Sequence, residues 1–212
     1  NDVSYTYPAL QDELDEEGNF ILPKPVFDHF SATLPGGFVH LVGPNASGKS
    51  TFLLLASGRL SANAGQVRLF GKDLAKMSEE ERNLTASFIY QNMEFDTNDK
   101  TQNLLEEVFQ NGAFKGKETY GGKELLQTVI EVFQLEKVLQ SSLNKQSKGE
   151  KQRVLLAFSL LYGSKSVFMD EPLFAMEYYQ KEKALDFLSS YSKDKNIPMY
   201  ISMHELELSK KY

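Results

Sequence analysis

The stretch Gly43-Pro44-Asn45-Ala46-Ser47-Gly48-Lys49-Ser50-Thr51 constrains this chain more than any other. It fits the pattern G-x-x-x-x-G-K-[ST], and each fixed position has a physical reason. Glycine lets the backbone turn its N–H groups inward without a Cβ clash. Those donors form an anion nest around the β- and γ-phosphates of a nucleotide. A helix opening after Gly48 adds the partial positive charge of its N-terminus. Lys49 adds a full charge, and the Ser50 hydroxyl is suited to ligate magnesium. The context agrees: an apolar run, Phe38–Val42, precedes the loop as a buried strand, and a helical pattern follows it to a stop at Gly58.

A second element carries paired acids. Ser166-Val167-Phe168-Met169-Asp170-Glu171 is an apolar strand ending in two carboxylates. In an open α/β sheet, ligands collect at the carboxyl ends of the strands. Asp170 there suits a magnesium ion, held through water. Glu171 would face the γ-phosphate side, where a carboxylate orients and deprotonates an attacking water.

Between and around these motifs the pattern alternates. Residues 3–7 read as an edge strand ending at Pro8, and residues 12–17 as an acidic solvated loop with Gly18 near its end. Residues 26–33, 67–70, 85–90 and 199–203 read as strands, with turns at Pro35-Gly36-Gly37 and at Gly71. Ser78 and Glu81 have the spacing of a capping box, so a short helix starts there. Residues 104–110 and 125–133 are helical and flank a Gly/Lys-rich loop over 112–122; residues 149–162 and 178–191 are also helical. Strands alternating with helices imply a mostly parallel sheet covered by helices.

Composition narrows the partners. With 212 residues and a net charge of -6, the chain lacks the basic excess that binds nucleic acid backbone. It has no cysteine, which excludes disulfides and thiolate metal sites. No apolar run approaches the roughly 18 residues that span a bilayer, and no signal peptide is visible. The chain begins at Asn1 and stops at Tyr212 within a helical pattern, so trimmed ends are expected.

Three further pieces gain meaning from their order. Gln91 follows a strand in Ile89-Tyr90-Gln91-Asn92, and His204 follows the last strand in Tyr200-Ile201-Ser202-Met203-His204. Gln146-Ser147-Lys148-Gly149-Glu150 opens the helix that precedes the Asp170 strand. The ordered set resembles the ABC ATPase family over nearly the whole chain. That resemblance implies an α/β P-loop NTPase (RecA-like) with a mostly parallel sheet, an edge antiparallel β region and an inserted helical subdomain. It implies one domain over 1–212, with a core of 1–91 and 147–212 and a helical subdomain over 92–146. It implies ATP and Mg2+ as cofactors. Residues 43–51 (Gly43, Pro44, Asn45, Ala46, Ser47, Gly48, Lys49, Ser50, Thr51) would hold the nucleotide. Ser50, Gln91 and Asp170 would hold the metal. Glu171, His204 and Lys49 would act in catalysis, with His204 on the γ-phosphate. Tyr7 would stack on adenine, with Tyr5 the second choice.

In that family each ATP lies between one chain's P-loop and the other chain's signature. Here the signature acting in trans would be Ser147, Lys148, Gly149 and Glu150, and the D-loop Ala175-Met176-Glu177. Both depart from the family pattern. Lys148 and Glu150 replace a glycine and a glutamine, Glu177 an aspartate and Phe174 a serine. The implied partners are a second ABC subunit and an integral membrane permease subunit, with no nucleic acid. The implied place is the cytoplasmic face of a membrane. The alternatives are a soluble non-transport ABC protein and a nucleotide-dependent dimerising module with weak hydrolysis.

Overall fold

The computed structural model describes residues 1–8, 23–91, 93, 97–115 and 120–212. The acidic stretch 12–18 and Asn92 lie outside the described residues. The strands are β1 (Val3–Tyr5), β2 (Phe27–Phe30), β3 (Phe38–Val42), β4 (Arg68–Leu69), β5 (Lys72–Asp73), β6 (Ala86–Ile89), β7 (Ser166–Asp170) and β8 (Met199–Met203). The helices are α1 (Lys49–Ala56), α2 (Glu79–Thr85), α3 (Thr101–Asn111), α4 (Tyr120–Val132), α5 (Lys148–Leu161), α6 (Tyr178–Lys195) and α7 (Leu206–Lys211).

The main sheet has the order β3-β8-β7-β6, and every neighbouring pair is parallel. Parallel sheets are covered on both faces, so their strands read as continuous apolar runs. Accordingly every residue of β7 and β8 is buried. The antiparallel pairs β1-β2 and β4-β5 form two short ladders of their own rather than extending this sheet. The turn between β4 and β5 is Phe70 (φ 50°) and Gly71 (φ 76°). Two consecutive positive φ values give the primed hairpin turn that matches strand twist.

α1 packs on β7 and β8 from one face, where Leu53, Phe168 and Tyr200 share a cluster. The Phe168 and Tyr200 rings stack at 4.8 Å. The larger cluster lies around α5, with Val154, Leu156, Leu160 and Leu161 buried against Val167, Met169 and Ile201. Leu105 on α3, Val129 on α4, and Phe133 and Leu135 beyond it join the same cluster. Each fully buried Leu or Phe side chain contributes roughly 1.5–3 kcal/mol. The intervening helices therefore share their core with α5.

Helix boundaries differ most from the sequence expectation at the start of α4 and the end of α6. α4 begins at Tyr120, so Gly121 and Gly122 fall inside the helix and not in the preceding loop. α6 runs on from residue 191 to Lys195, where Asn196 (φ 52°) supplies the left-handed cap that ends it. The capping box at Ser78 and Glu81 opens α2 as its spacing predicts.

β3 also carries a half-buried histidine. His40 Nδ1 donates to the Ser209 carbonyl of α7 at 3.1 Å, while Nε2 is buried with no partner among the described residues. Burial pushes the imidazole below its usual 6.5, the Ser209 carbonyl opposing this. The folded state thus binds fewer protons at His40 than the unfolded chain. Its contribution is fully present above about pH 6.5 and is lost as pH falls through the lower folded value. Thermal unfolding across this range should show His40→Phe less acid-sensitive than the wild type.

Candidate functional site

A parallel sheet places all its strand C-termini on one edge, and four loops gather there. The loop after β3 is residues 43–48, the turn after β6 holds Gln91, β7 ends in Asp170 and Glu171, and β8 is followed by His204.

The first loop is bent into a nest. Ala46 (φ 59°) and Gly48 (φ 87°) both take positive φ, and Gly48 caps α1. At Gly48 a side chain is barred twice. The backbone is left-handed, and a Cβ would sit 3.2 Å from Val26 Cγ1 and 3.3 Å from Phe27 Cζ. Among the described residues, the backbone N–H groups of residues 45–50 have no protein acceptor. They are free donors beside a helix N-terminus, which together favour an anion. Lys49 Nζ is held at the loop by the carbonyls of Gly43 (2.8 Å) and Pro44 (2.9 Å). Tyr7 is attached to the same unit, its hydroxyl 3.0 Å from Thr51 Oγ1. Its ring lies nearly perpendicular to that of Tyr5 with centroids 5.0 Å apart, and 42% of the residue is exposed.

The acids sit opposite. Asp170 is buried at the end of β7, and its Oδ1 accepts from Ser202 Oγ at 2.6 Å. Glu171 leaves the strand with φ 48°. For a residue with a side chain, that left-handed turn costs about 1–2 kcal/mol. The turn is held by contacts on every side. Glu171 N–H donates to Ser202 Oγ at 2.9 Å, Gln91 Nε2 donates to Glu171 Oε2 at 2.8 Å, and His204 Nε2 contacts Glu171 Oε1. The Glu171 side chain is 13% exposed. Gln91, Glu171 and His204, read from separate strand ends, are thus brought together. Ser202 is a partner that the sequence reading did not single out.

Magnesium takes hard oxygen ligands, commonly one or two carboxylates plus phosphate oxygens. The residues present fit that ion. Asp170 offers a carboxylate oxygen not bonded to Ser202, and Ser50 offers an exposed hydroxyl. Gln91 uses its Nε2 on Glu171, which leaves Oε1 as an acceptor. No cluster of three or more His, Cys, Asp or Glu residues suited to a metal occurs among the described residues.

The start of α5 explains one departure from the family pattern. Ser147 caps the helix, and Glu150 folds back to accept from Ser147 N (2.8 Å) and Ser147 Oγ (2.8 Å), forming a capping box. The Ser147 backbone N–H, then its hydroxyl, hold the Glu150 carboxyl below its usual range. Glu150 is thereby a local cap rather than an outward charge. Lys148 is exposed beside it. Glu177 likewise opens α6 in a capping box with Gln180, and Phe174 stands 67% exposed. Gly149 packs against the D-loop backbone, since a Cβ there would lie 2.7 Å from Ala175 O.

These features define a parallel α/β nucleotide-binding protein of the P-loop class. A family model described as ABC transporter matches residues 28–174, and the chain belongs to that family. LolD 2, a lipoprotein-releasing system ATP-binding protein of Rhodospirillum rubrum, is 31% identical over 175 residues, covering 80% of this chain and 74% of that protein. The ABC transporter ATP-binding protein YvrA of Bacillus subtilis is 29% identical over 180 residues, covering 84% of this chain and 40% of YvrA. The first two curated relatives are matched over only 40% and 35% of their own length. The dimeric post-hydrolysis state of the ATP-binding cassette MJ0796, bound to ADP and Pi, superposes with a TM-score of 0.80 at 20% identity. That match covers 99% of this chain and 88% of the other, and it establishes the fold.

The Gly149 contact gives a direct test. Gly149→Ala should lower the unfolding free energy by about 1–3 kcal/mol, the range for an overpacked site, in urea titrations. Gly36→Ala, where a Cβ meets nothing within 4 Å, should stay within about 0.5 kcal/mol of wild type.

Proposed function

We propose that this chain binds Mg-ATP and hydrolyses it to ADP and phosphate as the nucleotide-binding subunit of an ABC transporter. The observation that carries this is the convergence of the free amide nest, Lys49, Asp170 and Glu171 on one sheet edge. Residues 45–50 and Lys49 bind the β- and γ-phosphates, and Tyr7 presents its ring to the adenine. Ser50, Gln91 and Asp170 hold magnesium, which when bound neutralises phosphate charge. Gln91 and His204 fix the two oxygens of Glu171, and each oxygen keeps a second lone pair for a water. Glu171 takes a proton from that water as its oxygen bonds to the γ-phosphorus and the bond to ADP breaks. His204, beside Glu171, would also meet the γ-phosphate.

The same reading pairs the chain with a second cassette subunit and an integral membrane permease subunit at the cytoplasmic membrane face. Ser147, Lys148, Gly149 and Glu150 would close over the partner's ATP. Helices α3 and α4 would form the arm that carries the closing motion to the permease. No helix among the described residues is long and apolar enough to cross a membrane, which suits a subunit whose substrate path lies in another chain.

Two substitutions separate binding from chemistry. Glu171→Gln should bind Mg-ATP within a few-fold of wild type, yet release phosphate roughly a hundredfold or more slowly, as expected when a general base is removed. Lys49→Ala should weaken binding itself. Phosphate release that is equal in wild type, Glu171→Gln and Lys49→Ala would contradict the proposal.

A further inference from the structure

Ser202 lies near the end of the apolar strand β8, fully buried, and its hydroxyl bonds the Asp170 carboxylate and the Glu171 backbone N–H. β7 and β8 pair in parallel with Asp170 opposite Ser202, and the register ends there. Beyond that point Glu171 turns left-handed and leaves the ladder. Its N–H loses the β8 carbonyl that a continuing ladder would provide. The Ser202 hydroxyl takes over, accepting from Glu171 N at 2.9 Å. The same oxygen donates its proton to Asp170 Oδ1 at 2.6 Å. A hydroxyl has one proton and two lone pairs, so these two bonds give it a fixed direction: donor to one acid, acceptor from the next residue.

We propose that Ser202 is a positioning residue that sets the metal-side carboxylate and the water-side carboxylate in one fixed relation. By engaging Oδ1 of Asp170, it leaves Oδ2 as the oxygen that would ligate magnesium. By engaging the Glu171 amide, it holds the left-handed turn that brings that side chain between Gln91 and His204. A change at Ser202 therefore moves both carboxylates together. The inference rests on the Mg-ATP reading of the site.

Ser202→Ala removes the oxygen and leaves the rest of the residue. It should raise the Mg2+ concentration for half-maximal binding of a fluorescent ATP analogue roughly tenfold, and lower kcat by a similar factor, the size of one lost hydrogen bond to a charged group. The KM for ATP at saturating Mg2+ should stay within about twofold, because the amide nest and Lys49 are untouched. Ser202→Thr keeps the hydroxyl and should restore both quantities. Ser202→Cys keeps the volume but has a weak donor, and should behave like Ser202→Ala. Unchanged Mg2+ dependence and kcat in the Ala or Cys variant would overturn the proposal. So would a Thr variant as impaired as Ala, because packing would then be the cause. Wild-type protein that binds no Mg-ATP would contradict the underlying reading of the site, which separates the two failures.

Discussion

Parallel pairing of β3, β8, β7 and β6 is the constraint on which the site depends. Strands that run the same way end on the same edge, so residues far apart in sequence arrive together. Gln91 and Glu171 are 80 positions apart, and Glu171 and His204 are 33 apart. The central strands, β7 and β8, are buried along their full length and fix the register. The sheet order then places β8 next to β3, the strand that carries the phosphate loop, and β7 one strand further.

Two residues of the site carry left-handed backbone that a side chain disfavours, Ala46 and Glu171, and Gly48 takes positive φ beside the first. Such conformations persist when surrounding contacts over-determine them, and they gather at ligand clamps. At Glu171 the contacts are explicit: Ser202 on the backbone, Gln91 and His204 on the carboxylate. At residues 46–48 the return is a row of backbone amides with no protein acceptor among the described residues. The fold thus maintains an arrangement that is unfavourable by itself and becomes favourable on binding an anion.

Much of this was legible in the sequence. Spacing fixed the expectation for residues 43–51, because each position there has a backbone or charge reason. The apolar runs at Phe38–Val42 and Met199–Met203 were read with the boundaries they have. What stayed hidden depends on contacts between strands. A serine in Tyr200-Ile201-Ser202-Met203 carries no local signal, and only the parallel register shows that it faces Asp170. The left-handed turn at Glu171 is equally invisible, since glutamate has no preference for it. The cap at Ser147 and Glu150 is a different case. It has the same Ser-x-x-Glu spacing that identified Ser78 and Glu81, and the resemblance to a family signature drew attention to phosphate instead. The glycine pair at 121–122 was read as loop because glycine weakens helices, and the helix covers it nonetheless.

A structure of the Glu171→Gln variant with Mg-ATP tests the central claim most directly. The account predicts the triphosphate on the amides of residues 45–50 with Lys49, and the metal between the phosphates, Ser50 and the Asp170 side. A triphosphate bound elsewhere, or a metal remote from both Ser50 and Asp170, would contradict it.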